Sequence, residues 1–516
     1  MRKENSIKNI SFVLVGQVAN LIIGFITRKI FVLFLAREYL DLNGLFTNII
    51  SVLSLAELGM GSAMVFSLYE PLAKRDTQKI QALMGFYSKA YKLIALVVLV
   101  AGIAIYPFLD IFMGAEKPQN IANVNQFYFL YLANSVISYL WAYKRSLILA
   151  DQKNYILVLY KQVLYFVLNV VQVLLLIFTG SFLFYMMAQV LNTVVENLLV
   201  SRRADQLYPY IRHRQGIPLD QESKHSIFKN LRALVYHKIG DVMISSTDNI
   251  LISMLVGMSW VGLYNNYYMV LGSLNTIIAQ IFSSITATVG NLNVSEGEEQ
   301  SYCVFQRILF ANFWMMAFCT ITLLLEIQPF VELWLGENFW LPVSTVIILG
   351  IKFYLTGLRK TVLMFRDAMG LFWYDRYKPI AEVILNLVAS ILLAKPFGIS
   401  GVFAGTVVST LLTSFWIEPY ILYRRGFPSK PLRHYFYRVV CYTGITVLLA
   451  LLTWGICSLL PGNGILGIAV RLLTCIFVPN GVLALCFHRT DAFQYYWSIA
   501  KGIGSTVWKK CHHSQG

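Results

Sequence analysis

Charge is scarce in this sequence, and acidic charge is scarcer still. Of 516 residues only 13% are charged, with 26 acidic side chains against 42 basic ones. A soluble globular domain carries about a quarter charged residues, so that class is excluded. Cysteine is absent before Cys303, and all seven cysteines lie in the second half, mostly inside apolar runs. They read as small packing residues, not as a disulfide framework. Cys511, His512 and His513 sit together near the C-terminal end and read as a tail, not a metal site. No Walker loop, no GxSxG elbow and no HExxH pair occurs. We therefore expect no enzyme, no cofactor and no metal. The first apolar run is too long and too polar for a cleavable signal peptide. What the chain has in quantity is apolar surface: 57% hydrophobic residues and a mean hydropathy of +0.62.

Apolar segments recur along almost the whole length, each near the ~20 residues a helix needs to cross ~30 Å of hydrocarbon. About fourteen meet that criterion. They lie near 9–35, 42–70, 88–114, 121–146, 154–179, 181–201, 228–257, 260–290, 303–335, 341–366, 375–396, 398–424, 435–460 and 464–487. The expected fold class is an all-α polytopic membrane protein. Pro107 marks a kink in the third span. The net charge of +16 gathers in alternate connections, among them Lys74, Arg75 and Lys79, then Arg202, Arg203, Arg212 and Arg214, then Arg424, Arg425, Lys430 and Arg433. By the positive-inside rule both termini are cytoplasmic. Charge spread over loops between spans does not suit nucleic acid, so none is expected as a partner.

The seventh span carries the strongest polar signal. Lys238, Asp241, Ser245 and Asp248 step by three, four and three residues, which puts them on one helix face. An ionisable group at mid-membrane costs at least roughly 2.5–3.5 kcal/mol, so this stripe lines protein or water. A second copy lies near the N-terminus. Lys8, Asn9 and Leu42 recur as Lys229, Asn230 and Leu263, each 221 residues on. At that offset Gln17, Asn20, Gly24 and Thr27 fall on the four stripe residues, with Arg28 one residue beyond. Two related halves facing a polar cleft are expected. Arg28 and Asp248, at nearly equivalent positions, are expected to pair as a gate.

Other membrane-embedded charges are fewer. Glu57 sits in span two among Gly59, Gly61 and Ala63; it either pairs with Lys161 or Lys238 or is protonated and hydrogen-bonded in packed protein. Lys352, Arg359, Lys360 and Arg366 follow one another along span ten. With Lys161 and Lys238 they form a cationic set that suits an anionic headgroup, arginine being matched to phosphate; snorkelling explains Arg359 and Lys360 equally well. Gly401 and Gly405 predict close helix packing. Arg471 is the exceptional charge of the last two spans. Residues 491–510 mix aromatics with lysines, as an interfacial helix does.

The blocks KNISFVLVGQVANLIIGFITRKIF, LNGLFTNIISVLSLAELGMGSA, HKIGDVMISSTDNILIS, VGLYNNYYMV and IFSSITATVGNL resemble the polysaccharide-transport branch of the multidrug/oligosaccharidyl-lipid/polysaccharide flippase superfamily, over essentially the whole chain. That resemblance implies two pseudo-symmetric six-helix lobes rocking about a central cavity, plus two extra C-terminal helices. It implies a flippase for a polyprenyl-diphosphate-linked oligosaccharide in the bacterial cytoplasmic membrane. The domains expected are an N-lobe at 1–203, a cytoplasmic linker at 204–227, a C-lobe at 228–425, two further spans at 426–490 and a cytoplasmic amphipathic tail at 491–516. Gln17, Asn20, Arg28, Lys161, Lys238 and Lys352 are the expected cavity residues. Arg28, Glu57, Asp241 and Asp248 are the gate or coupling candidates. Membrane lipids, the lipid-linked oligosaccharide, a polysaccharide polymerase and glycosyltransferases are the expected partners, with H+ or Na+ coupling open. The alternative is an ion-coupled drug or cation antiporter of the same superfamily, whose cavity would favour carboxylates over lysines.

Overall fold

The computed structural model describes the chain apart from residues 1, 58–59, 115–120, 122, 152, 212–217, 222–223, 225–226, 228–242, 244–245, 296, 372–373, 461–463, 500 and 502–516, and apart from the side chains of 2–15, 17, 18, 62, 73, 284, 287, 288 and 290–295. Lys238, Asp241, Ser245 and the side chain of Gln17 lie outside the described residues.

Helices account for nearly everything described, and no strand occurs among the described residues. In chain order they are α1 (Arg2–Phe34), α2 (Arg37–Leu53), α3 (Met60–Lys74), α4 (Thr77–Ile105), α5 (Leu109–Met113), α6 (Val124–Leu140), α7 (Ala142–Ala150), α8 (Asn154–Thr179) and α9 (Phe182–Leu207), then α10 (Ser259–Ser295), α11 (Gly297–Leu335), α12 (Val343–Ala368), α13 (Lys378–Leu412), α14 (Ser414–Arg425), α15 (Leu432–Ser458) and α16 (Gly464–Phe487). Residues 246–255 are helical as well. With lipid tails as solvent every backbone group must be satisfied within the segment, which is why apolar runs of this length fold as helices.

Among the described residues, eight helical stretches are long and apolar enough to cross a membrane. One of them, Lys378–Arg425, has 48 residues, about 72 Å at 1.5 Å per residue and so twice what a bilayer needs. It breaks at Gly398, whose φ of +56° only glycine adopts without strain. The chain doubles back there, so that Ser390 donates to the Val402 carbonyl at 2.9 Å. Gly401 backs onto the Leu393 carbonyl, where a Cβ would fall 1.9 Å away. The small residue expected at a helix–helix contact therefore serves the chain's own hairpin. Pro107 lies in the 3-10 turn Tyr106–Phe108 that ends α4. The outer faces are apolar, with Phe178 at 81%, Leu466 at 78% and Leu448 at 68% exposure, as lipid-facing residues are. This is a multi-pass all-α membrane protein.

Two compact units divide the chain: Met1–Asn265 with Pro379–Val402, and Asn266–Lys378 with Phe403–Gly516. In the first, an aromatic knot of Phe31, Tyr39, Phe127, Phe182 and Tyr185 joins α1, α2, α6 and α9, the Phe127 and Phe182 rings lying 4.8 Å apart. Tyr208 donates to Asp151 at 2.7 Å, and Lys153 pairs with the same carboxylate, which fixes the α7–α8 turn to the end of α9. Desolvation raises the Asp151 pKa, but these two partners outweigh it and leave the carboxyl below its usual range. In the second unit Phe313 stacks on Tyr442 at 4.0 Å, tying α15 to α11. The acidic start of α11 is neutralised here, Glu298 accepting from Ser429 and Glu299 from Lys430.

Candidate functional site

In the first unit the start of α2 meets the start of α10. Ala36, extended at ψ 152°, releases the chain from α1, and Gly257, at φ +141°, makes the turn before α10. Arg37 donates to the Ser259 carbonyl at 2.9 Å, and the Asp41 carboxylate accepts from the Gly262 N–H at 2.9 Å. Asp41 is 4% exposed. An acceptor beside the free N–H groups of a helix's first turn is favoured by the hydrogen bond it takes. Two glycines permit the approach. A Cβ on Gly262 would lie 2.0 Å from Asp41 Oδ1, and one on Gly44 would lie 1.9 Å from Asn265 Nδ2.

These contacts join residues that the sequence repeat makes equivalent. Asp41 and Gly262 are 221 apart, as are Gly44 and Asn265, and 221 is the repeat offset. The junction of α2 with α10 therefore brings together positions one expected repeat offset apart. Around it Asn249 donates to Asn265 at 3.1 Å, Ser253 donates to the Phe112 carbonyl at 2.6 Å, and Tyr131 bonds Asn43. The Arg28 guanidinium interacts electrostatically with Tyr185, Tyr131 and Asp41.

Asp248, the neighbour of Asn249 in the chain, is buried at 1% exposure. Asn20 is half-buried on α1, and Lys161 is exposed on α8. Glu57 is half-buried and accepts from the Tyr91 hydroxyl at 3.3 Å, an uncharged partner on α4. In the second unit the Lys352 ammonium lies 5.3 Å over the Phe403 ring, a cation–π arrangement.

Two further members of the expected cationic row, Arg359 and Arg366, are neutralised. Arg359 grips Glu418 with two bonds, 3.0 Å from Nε and 2.6 Å from Nη2, and Lys378 bonds the same carboxylate. Arg366 pairs with Asp375 at 2.5 Å and with Asp367 at 2.7 Å. Glu418, Asp375, Lys378 and Asp41 escaped the sequence reading. A lone acid in an apolar run, as Glu418 is beside Pro419, was the available signal for the first; the 221-residue register was the signal for Asp41. For Arg359, expected either to face the cavity or to snorkel, the structure shows a head held by the buried Glu418 carboxylate.

A third feature is an apolar groove of about 640 Å3 in the second unit. Val440, Gly444 and Leu448 present one face of α15 to it, opposite Leu355, Leu411 and Phe415.

No protein-family model and no curated protein matches the chain. Solved structures do. Lipid II flippase MurJ in an inward closed conformation is similar at TM-score 0.68 and 12% identity, covering 92% of this chain and 99% of its own. An inward-facing multidrug resistance MATE family transporter of the MOP superfamily is similar at TM-score 0.58 and 12% identity, covering 83% and 99%. A point mutant of the Vibrio cholerae MATE transporter VcmN gives TM-score 0.56 and 14% identity over 82% and 98%. The chain has the fold these transporters share.

Proposed function

We propose that this chain is a flippase that moves a polyprenyl-diphosphate-linked oligosaccharide from the cytoplasmic to the outer leaflet for surface polysaccharide synthesis, by alternating access. The observation that carries the reading is the extent of the likeness to lipid II flippase: 92% of this chain, against 82–83% for the MATE transporters. That difference is about a tenth of the chain, the amount that a further pair of helices supplies. The groove on α15 supports the same reading, since a hydrocarbon tail can lie along it while the head crosses. The head is polar and anionic and cannot enter hydrocarbon, whereas lysine and arginine suit a diphosphate. In this reading the α2–α10 junction is the closed outer gate, with Arg28 beside it.

Translocation of a labelled polyprenyl-diphosphate oligosaccharide in proteoliposomes, with and without an imposed potential, tests the proposal. An inside-negative potential favours outward movement of an anion by ~2.3 kcal/mol per charge per 100 mV, so flipping is expected to accelerate with it. Neutralising Lys352 or Lys238 is expected to slow flipping about tenfold, the loss of one charge-assisted contact. Proton-coupled efflux of organic cations without flipping would instead assign the chain to the antiporters. Charge reversal R28D is expected to impair transport, and R28D with D248R to restore part of it; a double swap that rescues nothing refutes that pairing.

A further inference from the structure

Away from the gate and the groove, three helices of the second unit each bring one metal-ligating side chain to a common point. Glu326 comes from α11, Cys457 from the last turn of α15 and Cys475 from the middle of α16. All three are buried, at 4%, 7% and 0% exposure, and their ligand atoms all lie within 4.8 Å of one another. Arg471 precedes Cys475 by one helical turn and therefore shares its face. Its Nε lies 3.6 Å from Glu326 Oε1, too long for a hydrogen bond. Both carboxylate oxygens of Glu326 and the Arg471 Nε are buried without a hydrogen-bond partner. A buried carboxylate left in that state is costly, and such groups are normally satisfied by donors or by a metal.

We propose that Glu326, Cys457 and Cys475 bind one zinc ion, with Arg471 as the charge-balancing neighbour. Tetrahedral zinc holds thiolate sulfur at about 2.3 Å and carboxylate oxygen at about 2.1 Å, which places ligand atoms roughly 3.5–3.8 Å apart. From within 4.8 Å that needs about 1 Å of closure at most, which rotation of the glutamate and cysteine side chains supplies. Binding releases two protons as both thiols ionise. Two thiolates and one carboxylate then face a divalent ion and a guanidinium, and no net charge remains in the low-dielectric interior. A monovalent ion would leave one negative charge uncompensated, so the site selects a divalent thiophilic cation. The fourth position goes to water. The ion ties α15 and α16 to α11, which the aromatic stack of Phe313 on Tyr442 joins elsewhere along α15.

The test uses the full chain purified in detergent, carrying C511S, H512A and H513A so that the tail cannot chelate. Elemental analysis after addition of equimolar zinc and desalting is expected to find about one zinc per chain, with two thiols protected from alkylation. Cobalt(II) in place of zinc is expected to give thiolate-to-metal charge-transfer absorption. C457S and C475S are expected to abolish that band. E326Q, which keeps both thiols and the shape of the side chain, should weaken zinc binding at least about tenfold, a loss that even outer-shell partners show. Zinc should raise the unfolding temperature of the parent and not of C457S/C475S. Zinc content unchanged in the cysteine variants, no zinc retained by the folded parent, or recovery of Cys457 and Cys475 as a disulfide would each overturn the proposal.

Discussion

Glu418→Gln is expected to destabilise the protein by about 3–5 kcal/mol, the range seen when one partner is removed from a buried ion pair. The side chain of Glu418 is fully buried and carries two cations, Arg359 at 14% and Lys378 at 7% side-chain exposure. The amide keeps the shape and one acceptor oxygen. It removes the charge that made the burial of both cations tolerable, and its NH2 group points a donor at a guanidinium or an ammonium. Desolvation of the orphaned cations, more than the lost bonds, sets the magnitude. The measurement is the unfolding midpoint in detergent. Replacing all three residues together by leucine or methionine is expected to recover most of the loss, because an apolar cluster of similar volume often equals or exceeds a buried ion pair. An E418Q protein that melts with the parent would show that the cluster contributes little to stability.

The same cluster marks where the sequence stops being legible. Hydropathy alone anticipated the eight described stretches able to span, out of about fourteen expected, and the break between 375–396 and 398–424 falls on Gly398, because apolar length and glycine freedom are local properties. Pairing is not local. Arg359 and Lys378 reach Glu418 across 59 and 40 residues, so the chain read in one dimension showed a row of cations and not the carboxylate that holds Arg359. For Glu57 the sequence left a lysine pair and a hydrogen bond in packed protein both open, and the structure supplies the Tyr91 hydroxyl. The repeat was legible as an offset of 221, but an offset does not say which equivalent residues touch. That is set by packing, which brings the Asp41–Gly262 and Gly44–Asn265 pairs together at the α2–α10 junction.

Opening the α2–α10 junction from either side is expected to have the larger effect on transport. Asp41→Ala removes the acceptor bonded to the Gly262 N–H and leaves that donor buried, a cost of about 1–3 kcal/mol. If the bond exists in the closed state alone, the closed-to-open ratio falls by the corresponding ~5- to 150-fold. Gly262→Val attacks the same contact sterically. Its Cβ would stand 2.0 Å from Asp41 Oδ1 and 3.2 Å from the Asp41 backbone nitrogen, so α2 and α10 must part even if the carboxylate rotates away. Gly44→Ala is expected to be milder. It meets the ends of the Asn265 and Val261 side chains, and those can yield. The readout is alkylation of S259C from the outer solution, compared with the same chain without that cysteine. If the junction is the proposed outer gate, labelling should rise at least about fivefold in D41A and G262V while translocation falls, because a gate that no longer closes leaves too few molecules in the inward-facing state to load substrate. Faster labelling with normal translocation would mean that the junction is a contact without a gating role, and unchanged labelling in G262V would mean that the two helices never separate there.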